Sequence, residues 1–272
     1  MYRQFKLIKI YGYLWNNCKP ETTKLNSDKP RMDLPRITCV CVSKNRPALL
    51  LRAIQLFKFQ TYPNKDLVIV YEDATESLDH VVGDDEITFI RLQNASQLTL
   101  GERRNLSIQH CRGEYFCQWD DDDWYHNRRL ELQLNALIES GRSACVLRRL
   151  ILYDGITRKA YLSSERYWEG TLLCRTDLIN DTIRYPNVNR SEDNSLVFSL
   201  VRRNHVHPLS APYLYAYFFH GGNTWDQAHF NQLFEAGYAL PDSANNVMKK
   251  IFTDDKFDQA SDKVEQLDFD VL

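Results

Sequence analysis

Gly113-Glu114-Tyr115-Phe116-Cys117-Gln118-Trp119-Asp120-Asp121-Asp122-Asp123-Trp124 is the stretch whose reading decides the fold. Its first part, Tyr115 to Trp119, is aromatic and alternates poorly between apolar and polar residues, as a strand buried on both faces does. Four carboxylates then follow in a row. Adjacent carboxylates repel, and beside a buried strand they are costly unless a cation or several donors neutralise them. Clustered oxygens suit hard divalent ions, Mg²⁺, Mn²⁺ or Ca²⁺. Mg²⁺ takes one or two protein carboxylates and completes its shell with phosphate oxygens and water. The carboxyl end of a strand is also where open α/β sheets hold their ligands. The sharp reading is therefore a metal–phosphate site at a strand terminus. The plainer reading is a helix N-cap, because Asn127 to Ser140 reads as a helix and Asp favours helix starts; one Asp would suffice for that. A calcium loop is disfavoured, since its alternating ligands, its Gly and its closing Glu are absent.

Working outward, the preceding residues build the sheet that this strand joins. Ile37 to Val42 is a β-rich run of six. Ser43-Lys44-Asn45-Arg46-Pro47 is a turn, with Pro47 placed for the first turn of a helix that runs to about Phe59. Asp66 to Tyr71 is a second buried strand ending in Glu72-Asp73, so the three elements form a β-α-β unit with parallel strands and a right-handed crossover. Ile87 to Leu92 is a third strand, and Gly101 to Cys111 a helix carrying Arg104 and Asn105. Three strand ends thus deliver polar residues, Ser43 to Arg46, Glu72-Asp73 and Asp120 to Asp123. A parallel sheet sets all three along one edge. After the aspartates the pattern thins. Ser143 to Asp154 reads as strand-like, with a hairpin through Gly155 toward Ala160-Tyr161-Leu162. Thr171 to Cys174 is a short apolar run, and Arg190 to Asn194 opens a helix. Tyr213 to Phe219 is an aromatic strand that stops at His220-Gly221-Gly222.

Composition bounds the rest. The chain has 272 residues, 43% hydrophobic and 26% charged, with a net charge of -2. That is ordinary for one globular domain and gives no global field for nucleic acid. Residues 1–36 carry eight Lys/Arg against three Asp/Glu, whereas 231–272 carry four Lys against nine Asp/Glu. The expected organisation is an N-terminal extension and linker (1–34), a catalytic domain (35–230) and an acidic tail (231–272), partly helical and loosely held. The seven cysteines are odd in number, scattered and without a C-x-x-C pair, so neither zinc nor a disulfide framework is expected. Cys39 and Cys41 should share one face of a strand. No apolar run approaches the ~20 residues that span a bilayer, and the first residues lack the apolar core of a secretory signal. The expected location is cytoplasmic. The basic, aromatic N-terminus suits either an extension packed on the domain or peripheral association with the inner face of a membrane.

Together, Thr38 to Pro47, Gln60 to Pro63, Tyr71-Glu72-Asp73, Arg104-Asn105, Gly113 to Tyr115 and the aspartate run resemble the family-two glycosyltransferases in order and spacing. The likeness is dense from Ile37 to Leu137 and thinner through Glu169 to Leu173, Ser191-Glu192-Asp193 and His220. It implies a single GT-A (Rossmann-like) α/β domain, with a mostly parallel central sheet flanked by helices and a small antiparallel portion on the acceptor side. It implies an inverting enzyme that moves a hexosyl or N-acetylhexosaminyl group from a nucleotide-sugar donor to a glycan or lipid-linked acceptor, as in polysaccharide biosynthesis, with Mn²⁺ or Mg²⁺ as cofactor. Residue by residue, Ser43, Asn45, Arg46, Asp73 and Arg104 fall on the donor-nucleotide side. Asp120, Asp121 and Asp122 match the D-x-D motif, with Asp120 and Asp121 toward ribose or metal and Asp122 as main metal ligand. His220 matches a late histidine that closes the metal site. Asp193 matches the catalytic base, and Glu169, Gly170 and Glu192 the acceptor side. Lys44 stands where a tyrosine is common, and Glu72-Asp73-Ala74 replaces Asp-Asp-Gly-Ser.

The chemistry needs these residue types on its own account. Departure of a nucleoside diphosphate calls for a Lewis acid, and the attacking hydroxyl calls for a base on the opposite face of the sugar. That base should come from a separate segment, and Asp193 does. Two rivals share part of the pattern. A nucleotidyltransferase would show a Gly-rich loop after the first strand, and Ser43 to Pro47 has no glycine. A non-catalytic nucleotide-sugar binding module has no use for both an aspartate run and a separate Glu-Asp pair.

Overall fold

The structure is a computed structural model that describes residues 34–72, 85–93, 97–253, 260–267 and 269. The expected N-terminal extension, apart from Leu34, and Asp73 lie outside the described residues.

The chain runs β1 (Ile37–Lys44), α1 (Pro47–Lys58), β2 (Lys65–Glu72), β3 (Ile87–Arg91), α2 (Leu100–Gln109), β4 (Tyr115–Gln118), β5 (Trp124–Tyr125) and α3 (Arg129–Ser140). It continues through β6 (Ala144–Leu147), β7 (Ile151–Asp154), β8 (Lys159–Leu162), β9 (Trp168–Arg175), α4 (Glu192–Arg202), β10 (Val206–Leu209) and β11 (Tyr215–Phe219). Last come α5 (Gln227–Glu235), β12 (Tyr238–Ala239), α6 (Asp242–Thr253) and α7 (Ser261–Glu265). Seven strands form a central sheet in the order β10-β6-β9-β4-β1-β2-β3. All neighbours are parallel except β9, which runs antiparallel to both β4 and β6. A second, mainly antiparallel sheet has the order β12-β8-β7-β11-β5.

The period of two along the strands sorts side chains into two layers. Cys39, Cys41, Leu67, Ile69 and Cys117 pack toward Leu50, Ile54 and Phe57 of α1 and Leu134 of α3. Val40, Phe116 and Leu172 pack in a separate cluster with Ile108 of α2 and Leu196 and Leu200 of α4. Cys39 and Cys41 thus share a face, as their spacing requires. Because β2, β1 and β4 are adjacent and parallel, their carboxyl ends share one edge.

Three local expectations change. The aspartates are not a helix cap, because β5 intervenes and Arg128 occupies the N-cap of α3 without a side-chain bond. Ser143 to Asp154 is two strands in different sheets, broken at Arg148-Arg149, where the Leu147 N–H turns to the Thr171 hydroxyl at 2.8 Å. Within the acidic segment after residue 231, the described residues are not loosely held. Ala244, Met248 and Ile251 of α6 and Val264 of α7 are buried in the main core. The i, i+4, i+7 spacing of Ala244, Met248 and Ile251 makes an apolar stripe opposite a polar face that carries Asp242, Lys249 and Lys250. Met248→Ala is expected to lower stability by about 2–5 kcal/mol, as a buried methionine truncation does. A denaturant midpoint within error of the wild type would return this segment to the status of a tail.

Candidate active site

The first strand's end and the fourth strand's end meet at the aspartates. The Ser43 hydroxyl donates to Asp121 at 2.6 Å. Asn45 takes the left-handed conformation (φ 52), and its N–H reaches the Glu72 carbonyl at 2.7 Å, tying the β1 end to β2. That turn aims Arg46 back at the carboxylates. Arg46 Nη1 lies 3.1 Å from Asp122 and 3.4 Å from Asp121, and Nη2 donates to the Gly222 carbonyl at 2.8 Å. From the far side, His220 Nε2 lies 3.3 Å from Asp122, and Asn223 Nδ2 lies 3.4 Å from the same oxygen. Asp122 and His220 thus converge across 98 residues of sequence.

The four carboxylates have four different environments. Asp120 accepts from Arg104 Nη1 at 2.9 Å and from Gln118 Nε2 at 3.1 Å. Burial, reinforced by the neighbouring Asp122 charge, raises the Asp121 pKa to about 7. Burial pushes Asp122 the same way, but His220 and Arg46 outweigh it and hold its carboxyl below the usual range. Asp123 is fully buried, and burial with the Asp122 charge pushes it well above the usual range. It accepts the Tyr215 hydroxyl and the Phe218 N–H, the latter at 2.9 Å, and so pins β11 to the aspartate run. Sequence reasoning gave Asp123 no role. The only signal was one aspartate more than the motif uses.

Arg104 links this cluster to the first turn of α4. Its Nε donates to Glu192 Oε1 at 2.9 Å while Nη1 holds Asp120, and both Arg104 and Glu192 are buried. Glu192 therefore does not line the acceptor side, because its carboxylate is turned onto Arg104. Burial raises the Glu192 pKa and Arg104 opposes that rise. Arg104→Ala is expected to cost about 3–5 kcal/mol, since it strands a buried carboxylate. Chemical unfolding measures this, and a loss below about 1 kcal/mol would mean that Glu192 finds another partner. The neighbouring Asn105 clips the strap before α4, bonding Tyr185 through the tyrosine's carbonyl at 2.7 Å and its N–H at 3.1 Å. Gly101 is needed there because a Cβ would lie 1.8 Å from the Pro186 carbonyl oxygen.

Asp193, in the first turn of α4, accepts the Asn194 N–H at 2.8 Å and among the described residues forms no ion pair. The preceding residue, Ser191, is held left-handed (φ 58), a strained conformation of the kind found at functional sites. Asp193 lines a cavity of about 240 Å³ together with Asp120, Glu169, Gly170, Trp168 and Trp225. Glu169 accepts from Arg166 at 2.6 Å and from Asn194 Nδ2 at 3.0 Å, so β9 and α4 are tied at the cavity. Gly170 leaves the cavity floor open toward Asp120, whose Oδ2 would lie 3.5 Å from an added Cβ. Beneath the site sits another residue that the pattern did not flag. Arg129, fully buried, lies 4.7 Å from the Tyr125 ring centroid and 5.0 Å from that of Tyr215, and donates to the Gln118 carbonyl at 3.1 Å. It props the strand that ends in the aspartates. Its sequence signal, a charge on the buried stripe of α3, resembles an ordinary solvated residue.

The family model described as glycosyl transferase family 2 matches residues 38–201. The chain belongs to glycosyl transferase family 2. Among curated proteins, this family-two chain is 28% identical over 106 residues to an uncharacterized glycosyltransferase of Rickettsia typhi, covering 38% of this chain and 32% of that protein. It is 24% identical over 109 residues to one of Rickettsia bellii, covering 39% and 15%. It thus spans about a third or less of the curated relatives it matches. Among solved structures, S. aureus TarS in complex with UDP superposes with a TM-score of 0.55 at 15% identity, covering 81% of this chain and 73% of that one. The mannosyltransferase PcManGT of Pyrobaculum calidifontis, in complex with GDP-Man and Mn²⁺, gives 0.55 at 13% identity, covering 95% and 80%. These likenesses show the GT-A fold. No helix among the described residues is long and apolar enough to cross a membrane.

Proposed function

We propose that this family-two chain is a metal-dependent, inverting glycosyltransferase that moves a sugar from a nucleoside-diphosphate donor, UDP first, to an acceptor hydroxyl. The observation that carries the reading is the meeting of Asp122 with His220 beside a cavity that Asp120 and Asp193 line from separate elements.

Among the described residues no three His, Cys, Asp or Glu side chains form a ready-made metal cage. The donor set is a carboxylate and an imidazole, 3.3 Å apart. That suits Mn²⁺ or Mg²⁺ with a shell completed by diphosphate and water. Asp122 and His220 would hold the ion, whose charge stabilises the departing diphosphate. Arg46, joined to Asp121, Asp122 and the Gly222 carbonyl, adds a second positive group at the diphosphate end. Ser43 and Asn45 shape the nucleotide side. Asp73, assigned to the base, lies outside the described residues. Asp193 takes the proton of the acceptor hydroxyl, and Glu169 lies on the acceptor side of the same cavity. The relative bound to UDP and the relative bound to GDP-Man and Mn²⁺ support a nucleotide-sugar donor and a divalent cation. The cytoplasmic, peripheral setting belongs to the same reading.

Thermal melting with UDP, GDP and other nucleoside diphosphates tests it. With Mn²⁺ and a nucleotide at 100 times its dissociation constant, stability should rise by about 2.7 kcal/mol, roughly 5–10 °C in Tm. Chelation should cancel the rise. A gain indifferent to chelator would remove the cation from the site, and no gain with any nucleotide would remove the donor.

A further inference from the structure

Arg52 lies on the buried stripe of α1, where a charge is costly unless its surroundings satisfy it. Its Nη2 donates to the Asp122 carbonyl at 2.9 Å and to the Asp123 carbonyl at 3.2 Å. These bonds hold the backbone of the aspartate run rather than its carboxylates. The same guanidinium rests on two rings, 4.8 Å from the Phe252 centroid and 5.6 Å from that of Phe218. A desolvated guanidinium is drawn to aromatic faces, and its planar fork fixes where its N–H groups point.

Phe252 belongs to the last turn of α6, beyond residue 201 where the family match ends. Its ring stacks on Phe218 with centroids 4.1 Å apart at 21°, and on Tyr153 at 5.2 Å and 10°. Phe218 in turn organises the His220 side of the site. Its N–H donates to Asp123 at 2.9 Å, and its carbonyl accepts from Asn223 Nδ2 at 2.8 Å. Its ring centroid lies 5.5 Å from that of His220. Gly155 admits this ring, because an added Cβ would lie 2.5 Å from Phe218 Cε2. One side chain of α6 therefore braces both halves of the Asp122–His220 pair, the first through Arg52 and the second through Phe218. Core packing alone accounts for the two ring stacks. It does not account for a buried cation between Phe252 and the aspartate backbone.

A cation held by one carboxylate and one imidazole depends on how well those two groups are placed beforehand, since phosphate and water supply the rest of its shell. The groups behind the ligands set that placement. We propose that Phe252 and Arg52 are positioning residues of the cation site: α6 sets Phe252 against Arg52 and Phe218, and so fixes Asp122 and His220 at the separation at which they take Mn²⁺ or Mg²⁺. The proposal rests on the transferase reading above, and it makes the end of the chain part of the donor site.

Mn²⁺ binding to the full chain in the presence of UDP, read from the EPR signal of free Mn²⁺, tests this without turnover. Phe252→Leu keeps the apolar bulk and removes the ring. It is expected to raise the Mn²⁺ Kd by about tenfold or more, as loss of a group behind a metal ligand does. UDP affinity measured with chelator should stay within a few-fold, because Ser43 and Arg46 are untouched. Phe252→Tyr keeps the ring and should recover most of the loss. Arg52→Lys keeps the charge but cannot span both carbonyls while lying on two rings, so it should behave as Phe252→Leu does. A Mn²⁺ Kd unmoved by Phe252→Leu overturns the proposal and leaves the transferase standing. So does a parallel loss of metal-free UDP binding, or a failure of Phe252→Tyr to recover, since Phe252 is then core packing alone. No Mn²⁺ binding by the wild type with any nucleoside diphosphate sinks both.

Discussion

Asp193→Asn is expected to lower kcat by about 10²–10⁴-fold while nucleotide affinity stays within a few-fold. The amide keeps the shape of the carboxylate and retains a carbonyl to accept the Asn194 N–H, the 2.8 Å bond within the first turn of α4. It loses the capacity to take a proton. Because Asp193 stands away from the Asp122–His220 pair in sequence and element, the donor's binding groups are untouched. The comparison is therefore rate against binding: product formation by mass, and UDP–Mn²⁺ affinity by calorimetry. A variant that keeps half the wild-type rate would remove Asp193 from the role of base. A variant that loses nucleotide binding in parallel would make it a donor ligand instead.

The neighbouring carboxylate sharpens that experiment. Glu192 is adjacent in sequence yet buried on Arg104, whereas Asp193 lines the cavity. One residue step along the helix turns the two apart by about 100°, so one faces inward and the other the cleft. The Glu-Asp pair in the sequence named the place, and the helix phase decides which member is free to react.

The legible parts of this fold are those where local pattern and topology agree. Ile37 to Val42 and Asp66 to Tyr71 are near-continuous apolar runs joined by a proline-started helix, and that arrangement allows little besides a parallel pair. Once the strands are parallel and adjacent, the polar residues at their ends must share an edge, so Ser43 and Asp121 meet although 78 residues apart. The Asp122–His220 contact is different in kind. No spacing dictates it, because it depends on β11 lying beside β5 and β7 in the second sheet. Only the resemblance pointed to His220. Asp123 was illegible for a related reason. Its partners, Tyr215 and the Phe218 N–H, exist only after the two sheets have packed. The acidic end was misread because its excess of Asp and Glu over Lys masks a weak apolar period. Burial needs only one face, and Ala244, Met248 and Ile251 supply it.

Asp122→Asn is expected to abolish the chelator-sensitive rise in Tm with UDP and Mn²⁺ and to lower kcat by at least about 10²–10³-fold, the loss seen when one charge-stabilising group is removed from a reacting centre. Asparagine can still accept from Arg46 and Asn223, so the loop that carries His220 keeps a partner. The change removes a carboxylate that its surroundings hold below the ordinary range, and it leaves His220 as a lone ligand. A single imidazole is a poor site for a hard cation. Nucleotide binding should persist weakly through Ser43 and Arg46, without any dependence on added Mn²⁺. Asp123→Asn gives the contrast. Its carboxyl is buried, pushed toward the protonated form and occupied by Tyr215 and the Phe218 N–H, so its loss should lower stability before it alters metal dependence. If Asp123→Asn loses the Mn²⁺ response while Asp122→Asn keeps it, the ion sits on the other side of the run, and the pairing of Asp122 with His220 is structural.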